Sequence, residues 1–341
     1  MRRGFAVRCG AMIGLAALVA AIPVSARAQE VTEVRLGRAF GIAQLPFMVM
    51  ENRRLVEQEL TSMGAKAPKV VWMTLGGGNV LNDALLTGEL HFAVGGTTAF
   101  LVPWNRTRGT GYEIKGVAAM SSTPMLLVTR NPAVRSIADF SATDKIALPA
   151  VKVSIQAVTL QMAAAKMFGR GQEFRLDPFT VSLPHPDATA AVVSGQSEVN
   201  SHFSAPPYSD RELKADGVRL IMNSYDVVGK NTTLNLVYAT SKFRDANPVV
   251  FRAVLAALKS AIELINKDHA TAAQIYLDMT KERSSPQDIV AVLGDPQIVF
   301  TVTPINVMKY AQFMHEIGTL KTLPASWKDL FFEDIHGEPG S

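Results

Sequence analysis

Ala84-Leu85-Leu86-Thr87-Gly88-Glu89, continuing into His91-Phe92-Ala93-Val94, is echoed 107 residues later by Ala191-Val192-Val193-Ser194-Gly195-Gln196, continuing into Glu198-Val199-Asn200-Ser201. Each segment reads as the end of a helix, a glycine where a left-handed cap belongs, and then a strand. The residues before them correspond too. An apolar strand over 70–73 runs into Gly76-Gly77-Gly78, and a strand over 179–183 runs into Pro184-His185-Pro186-Asp187. A strand-loop-helix-glycine-strand unit therefore occurs twice. Its spacing is too long for the roughly 20–50-residue period of a solenoid, and it predicts two similar α/β lobes.

Working outward, the same alternation continues. A strand over 34–37 precedes a turn near Gly41 and an amphipathic helix over 47–63, with Val49, Val56, Leu60 and Met63 on one face and Gly64 at its end. Asn79 is placed to cap a helix ending at Gly88, and a strand over 91–94 empties into Gly95-Gly96-Thr97-Thr98. A strand over 145–148, a loop over 149–154 and a long helix ending before Gly169 form another unit. Units of this kind imply mainly parallel sheets covered by helices. The C-terminal third is helical, with Asn247-Pro248 and Thr303-Pro304 each offering a cap and a first-turn proline. Phe251, Val254, Leu255, Leu258, Ile262 and Ile265 recur at helical spacing as a core stripe.

The chain is expected to cross between lobes where small polar residues precede strands: Ser121-Ser122-Thr123-Pro124 and Asn231-Thr232-Thr233. Two crossings make a hinge. They divide the chain into a first lobe of residues 29–123 plus 231–341 and a second, inserted lobe of residues 124–230.

The N-terminus predicts export. Arg2, Arg3 and Arg8 precede an apolar run over 11–22, which is too short for the roughly 20 residues a spanning helix needs, and Ala26-Arg27-Ala28 is a small-x-small cleavage site. A cleaved signal over 1–28 and a soluble periplasmic product follow. The whole chain carries 34 basic and 30 acidic residues, but four arginines lie in 1–28, leaving 30 of each. A neutral mature surface gives no electrostatic reason to expect nucleic acid or an anionic membrane as partner. Cys9, the single cysteine, falls inside the leader, so the mature chain has no disulfide and no cysteine-ligated metal.

Open α/β sheets bind ligands beyond the carboxyl ends of their strands. Those ends fall at Gly41-Ile42-Ala43-Gln44-Leu45-Pro46, Gly76-Gly77-Gly78-Asn79, Gly96-Thr97-Thr98, residues 151–156 and His202-Phe203-Ser204. Nearly all are small, amide or hydroxyl residues, suited to holding oxyanions or carbonyl-like groups on backbone N–H groups at helix starts. Enzyme signatures are missing: there is no G-x-S-x-G, H-E-x-x-H, P-loop or G-x-G-x-x-G motif in the required context. The six histidines show no helical metal-ligand spacing, so neither a metal nor a cofactor is expected. His202, at a strand end, reads equally as a ligand contact and as a structural histidine. Lys152 reads as a solvated lysine or as an anion's counter-charge.

Together, Gln44-Leu45-Pro46-Phe47, Gly76-Gly77-Gly78-Asn79, the stretch from Ala84 to Phe92 with Gly95-Gly96-Thr97, Ile137-Ala138-Asp139-Phe140 before Lys145-Ile146-Ala147-Leu148-Pro149, and Asp187 to Gly195 make the chain resemble the nitrate, sulfonate, taurine and thiamine-precursor solute-binding proteins of ABC importers. The resemblance runs over roughly residues 33–270. It implies a type II periplasmic binding fold: two lobes on a two-strand hinge, a monomer that holds a small solute and delivers it to a cognate permease in the inner membrane. The strand-end loops and crossings make the expected ligand-binding residues Gln44, Leu45, Gly77, Gly78, Asn79, Gly96, Thr97, Thr98, Ser122, Thr123, Ser154, Gln156, His202, Phe203, Ser204 and Tyr225, with Phe203, Tyr208 or Tyr225 available to stack on a ring. The loops lack an Arg or Asp clamp, which separates this chain from a plain sulfonate or nitrate site. The competing reading is a periplasmic enzyme of the thiamine-precursor-synthase type on the same scaffold. It is disfavoured because the loops assemble no nucleophile and base, no carboxylate pair and no metal cluster.

Overall fold

The structure is a computed structural model that describes Met1, Gly4, residues 30–282 and residues 284–341. Apart from Met1 and Gly4, the predicted leader, Cys9 included, lies outside the described residues. Eleven strands run through the described residues: β1 (Glu33–Arg38), β2 (Lys69–Thr74), β3 (Phe92–Gly96), β4 (Ile114–Ser122), β5 (Leu126–Thr129), β6 (Ile146–Leu148), β7 (Thr180–Ser182), β8 (Ser201–Ser204), β9 (Arg219–Asn223), β10 (Asn235–Thr240) and β11 (Val299–Phe300). They form two sheets, ordered β11-β4-β10-β3-β1-β2 and β7-β6-β8-β5-β9.

The echoed unit is visible in this order. In the first sheet β1 lies between β2 and β3, parallel to both; in the second, β6 lies between β7 and β8 in the same way. The repeat is thus one strand longer than the echo in the sequence. Both sheets are mixed, because the strand after each crossing docks antiparallel beside the unit. β5, which follows Ser122, pairs antiparallel with β8 and β9. β10, which follows the second crossing, pairs antiparallel with β3 and β4. Helices cover the faces, as parallel pairs buried on both sides require.

Local readings fare unevenly, for identifiable reasons. The helix expected over 47–63 is two helices, Leu45–Arg53 and Leu55–Ser62, broken at Arg54, whose φ of 53° is left-handed. Gly64 ends the second of them in the left-handed region, as expected. Asn79 is not a cap: the helix Gly78–Leu86 begins after Gly77, and Asn79 sits exposed in its first turn. Pro248 opens the helix Pro248–Lys267, whose apolar stripe is buried as predicted. Asn247 does not cap it with its side chain. Its Oδ1 instead accepts from Val31 N (2.8 Å), so it ties the chain's start to this helix. Thr303-Pro304 begins no helix, because Thr303 Oγ1 donates to Glu338 Oε2 and the helix starts at Val307, after a left-handed Asn306. Among the described residues no helix is long and apolar enough to cross a membrane.

Candidate functional site

Between the two sheets lies a cleft of about 70 Å³, room for a few water molecules or a small solute. The ends of six helices meet it: Gln44 before the helix Leu45–Arg53, Gly77 before Gly78–Leu86, Gly96 before Thr97–Thr107, Ser154 before Ile155–Phe168, and the first residues of His185–Ser194 and Tyr208–Leu213. This follows from the topology, since β-strands that point their carboxyl ends at a gap start their following helices there. The positive ends of the helix dipoles converge, and among the described residues no Lys, Arg, Asp or Glu lines the cleft.

The two walls touch. Thr98 Oγ1 donates to Val153 O across the gap (2.8 Å), Thr159 Oγ1 and Tyr310 Oη share a hydrogen bond (2.8 Å), and Lys214 pairs with Asp288 farther out (2.9 Å). Glycine is what permits such proximity: a Cβ on Gly77 would stand 2.9 Å from Pro149 O, and one on Gly96 would stand 3.1 Å from Ile155 Cβ.

Of the residues expected at the ligand, Gln44, Gly77, Gly78, Gly96, Ser154 and Gln156 line the cleft. Gln44 is only 2% exposed, yet its Oε1 has no hydrogen-bond partner. Ser154 spends its hydroxyl on the helix behind it, accepting from Ala157 N at 3.2 Å. The structure puts the others elsewhere. Leu45 and Phe203 are core residues, and Asn79 faces solvent. Thr97 is fully buried and donates to Thr233 O (2.8 Å) within one wall, while Thr98 reaches Val153 O on the other, and neither lines the cleft. Ser122 Oγ donates to Thr232 O (2.8 Å), which ties the two crossings together, and Tyr225 Oη stands 2.8 Å from the same hydroxyl oxygen. Tyr225 Oη donates to Gln297 O, and burial pushes this phenol up to about 12. Thr123 is buried in the first crossing, and Lys152 is exposed in a left-handed turn off the cleft.

His202 and Ser204 are fully buried behind the wall in a polar chain. Glu212, also fully buried, accepts from Thr189 Oγ1 (2.6 Å) and Ser204 Oγ (2.9 Å), and its Oε1 lies 2.6 Å from His202 Nδ1. His202 Nε2 lies 2.8 Å from Nδ1 of His185, whose Nε2 is 3.4 Å from the Gln156 amide in the cleft wall. Tyr208 stacks on the His185 ring at 5.5 Å. Burial, and then the neighbouring His202, hold the His185 imidazole well below its usual value. Among the described residues no group of His, Cys, Asp or Glu side chains is arranged to hold a metal ion.

Tyr208, expected as a stacking ring, lines the cleft, whereas His185 and Asn235 in the cleft and Glu212 behind it were not anticipated. A signal for His185 existed: in the internal echo its loop occupies the place of Gly76-Gly77-Gly78. Glu212 gave none, because Tyr208–Leu213 reads as an ordinary surface helix.

This architecture, with two α/β sheets of matching strand order facing across a cleft ringed by helix starts, is the two-lobe fold of the periplasmic binding proteins. Among solved structures, the chain is similar to the alkanesulfonate-binding protein SsuA of Xanthomonas axonopodis bound to MOPS (TM-score 0.67, 20% identity, covering 89% of this chain and 97% of that one). It is also similar to the periplasmic aliphatic sulphonate binding protein SsuA of Escherichia coli (0.63, 17%, 89% and 93%) and the periplasmic nitrate-binding protein NrtA of Synechocystis (0.66, 15%, 90% and 88%). No family model matches the chain, and no curated protein matches it.

Proposed function

We propose that this chain is the extracytoplasmic solute-binding component of an ABC importer, exported by a cleaved signal over 1–28, and that it captures a small solute between a first lobe of residues 29–123 plus 231–341 and a second lobe of residues 124–230. The observation that carries the reading is the cleft wall: Gly77, Gly78 and Gly96 from one repeated unit face Ser154, Gln156 and His185 from the other. A solute touching both walls makes contacts that separated walls cannot make, and only such differential contacts shift a conformational equilibrium. The crossings at residues 121–124 and 231–233 act as the hinge, and a membrane permease reads the closed lobes. Binding, not turnover, is the chemistry that an uncharged, glycine-lined cleft serves, and the similar sulfonate- and nitrate-binding structures support the same role.

The test begins with a thermal-shift screen over sulfonates, nitrate, pyrimidines and aromatic acids. A ligand at 100 times its dissociation constant stabilises by about 2.7 kcal/mol. Small-angle scattering with the best hit at saturation is expected to show a smaller radius of gyration than without it. A stabilising hit that leaves the profile unchanged argues against capture by closure, and recovery of the hit in chemically altered form argues for the enzyme reading.

A further inference from the structure

Among the described residues no charged side chain lines the cleft, yet a fully buried carboxylate stands two imidazoles behind it. Both Glu212 oxygens are engaged, by Thr189 and His202 on one and Ser204 on the other, and the imidazoles continue in line through His202 Nε2 and His185 Nδ1 to His185 Nε2 at the cleft. From this we infer that Glu212, His202 and His185 form a proton relay that sets the hydrogen-bonding role of His185 Nε2, so that a solute presenting an anionic acceptor to the cleft is bound together with one proton. The inference rests on the solute-capture reading and names the class of solute.

Two states of the chain differ by one proton. In the protonated chain His202 donates from Nδ1 to Glu212 and from Nε2 to His185 Nδ1, which leaves a proton on His185 Nε2 pointing at the cleft. Carboxylate and imidazolium then cancel. With one proton fewer, His185 turns tautomer, donates from Nδ1 to His202 Nε2, and offers a lone pair to the cleft, with an uncancelled negative charge buried behind it. An anion accepts a hydrogen bond from the first state and is repelled by the second. The proton comes from solvent and resides on the imidazole pair.

Two further features of the cleft agree. The Gln156 amide beside Nε2 can turn to donate or accept, and across the cleft the Gln44 carboxamide, buried with its oxygen unpartnered, can turn to offer its NH2 instead. The other ionisable groups near the chain do not bond to it. Tyr208 stacks on His185, with Arg211, Glu282 and Tyr276 around its own ring; Asp210 lies near Glu212 on the same short helix. The strands packed alongside present Thr129 and Ser201, which bond to each other. Burial keeps His185 itself neutral, as a relay requires.

The test is calorimetry from pH 5.5 to 8.5 with nitrate, ethanesulfonate and benzoate as anionic probes, and benzamide and uracil as neutral ones. Each titration is run in two buffers of different ionisation heat, neither of them a sulfonate. We expect an anionic probe to bind with uptake of up to one proton and to lose about tenfold in affinity per pH unit once the chain has given up its proton. His185→Gln, which keeps a donor but cuts the link to His202, should bind the same probe with no proton uptake and a flat pH profile; Glu212→Gln should also flatten it. If Glu212→Gln does not fold, His185→Gln alone decides. Anion binding by the wild type without proton uptake, or binding of the neutral probes only, overturns the relay, and in either case compaction on binding leaves solute capture standing. If no probe binds, imidazole 15N spectra of the protein alone decide: His185 Nε2 is expected to carry a proton at pH 5.5 and none at pH 8.5, and an unchanged state across that range overturns the inference.

Discussion

Ser154 shows how one side chain serves both the helix and the site. Its residue lines the cleft, while its Oγ accepts from Ala157 N and so closes the first turn of Ile155–Phe168. The cap takes one lone pair of the hydroxyl and leaves its O–H free to donate, and N-cap loss costs about 1 kcal/mol. Ser154→Ala is therefore expected to lower unfolding stability by that amount in urea denaturation, and to weaken binding several-fold for a probe that accepts from that O–H. A variant of unchanged stability that has lost binding would place the hydroxyl on the solute instead. The sequence put Ser154 at a strand end, where the structure shows it lining the cleft, but could not say which neighbour takes the hydroxyl, because a serine before a helix at a strand end suits a cap and a ligand equally. Thr97 carries the same ambiguity, and it is the antiparallel return of β10 that brings Thr233 O within its reach.

At the scale of elements, what was legible was what repeats. Hydrophobic periodicity and terminal glycines located β1, β2, β6 and the helix Ile155–Phe168, since those signals depend on neighbours in sequence. What was not legible depends on partners far along the chain. β8 starts at Ser201, not at Glu198, because its register is set by pairing Ser201 with Thr129 and Ile146. Arg54 is another such case: nothing in Asn52-Arg53-Arg54-Leu55 announces a break, yet the residue adopts φ 53° so that the second helix packs along Pro248–Lys267. A left-handed non-glycine residue is strained by roughly 1 kcal/mol, and its exposed ion pair with Glu57 offsets little of that. Arg54→Gly is accordingly expected to be neutral or to stabilise by up to about 1 kcal/mol in chemical denaturation, whereas a substitution inside either helix would destabilise. A loss of more than about 1 kcal/mol would mean that the bend is held by the arginine side chain.

At the scale of the whole molecule, the decisive contacts are those that exist only when the walls meet. Gly77 is the sharpest case. Its backbone is extended, with φ 178°, so any residue can adopt it; what forbids a side chain is Pro149 O on the opposite wall, 2.9 Å from where a Cβ would lie. The nearest atom on its own side, Asn79 Oδ1, is 3.4 Å away, an adjustable side-chain contact. Gly77→Ala should therefore leave each sheet and its helices intact while holding the walls a few tenths of an ångström apart or more, and glycine-to-alanine in extended backbone adds no strain of its own. The expected outcome is a melting temperature close to wild type without solute, a larger radius of gyration at saturating probe, and an affinity reduced at least tenfold. Gly78→Ala is the control, because its Cβ would meet Ala99 Cβ at 2.7 Å on the same side of the cleft, which disturbs packing within one wall and lowers stability directly. If Gly77→Ala loses stability as Gly78→Ala does while its affinity is unaffected, wall-to-wall contact is not what binding uses.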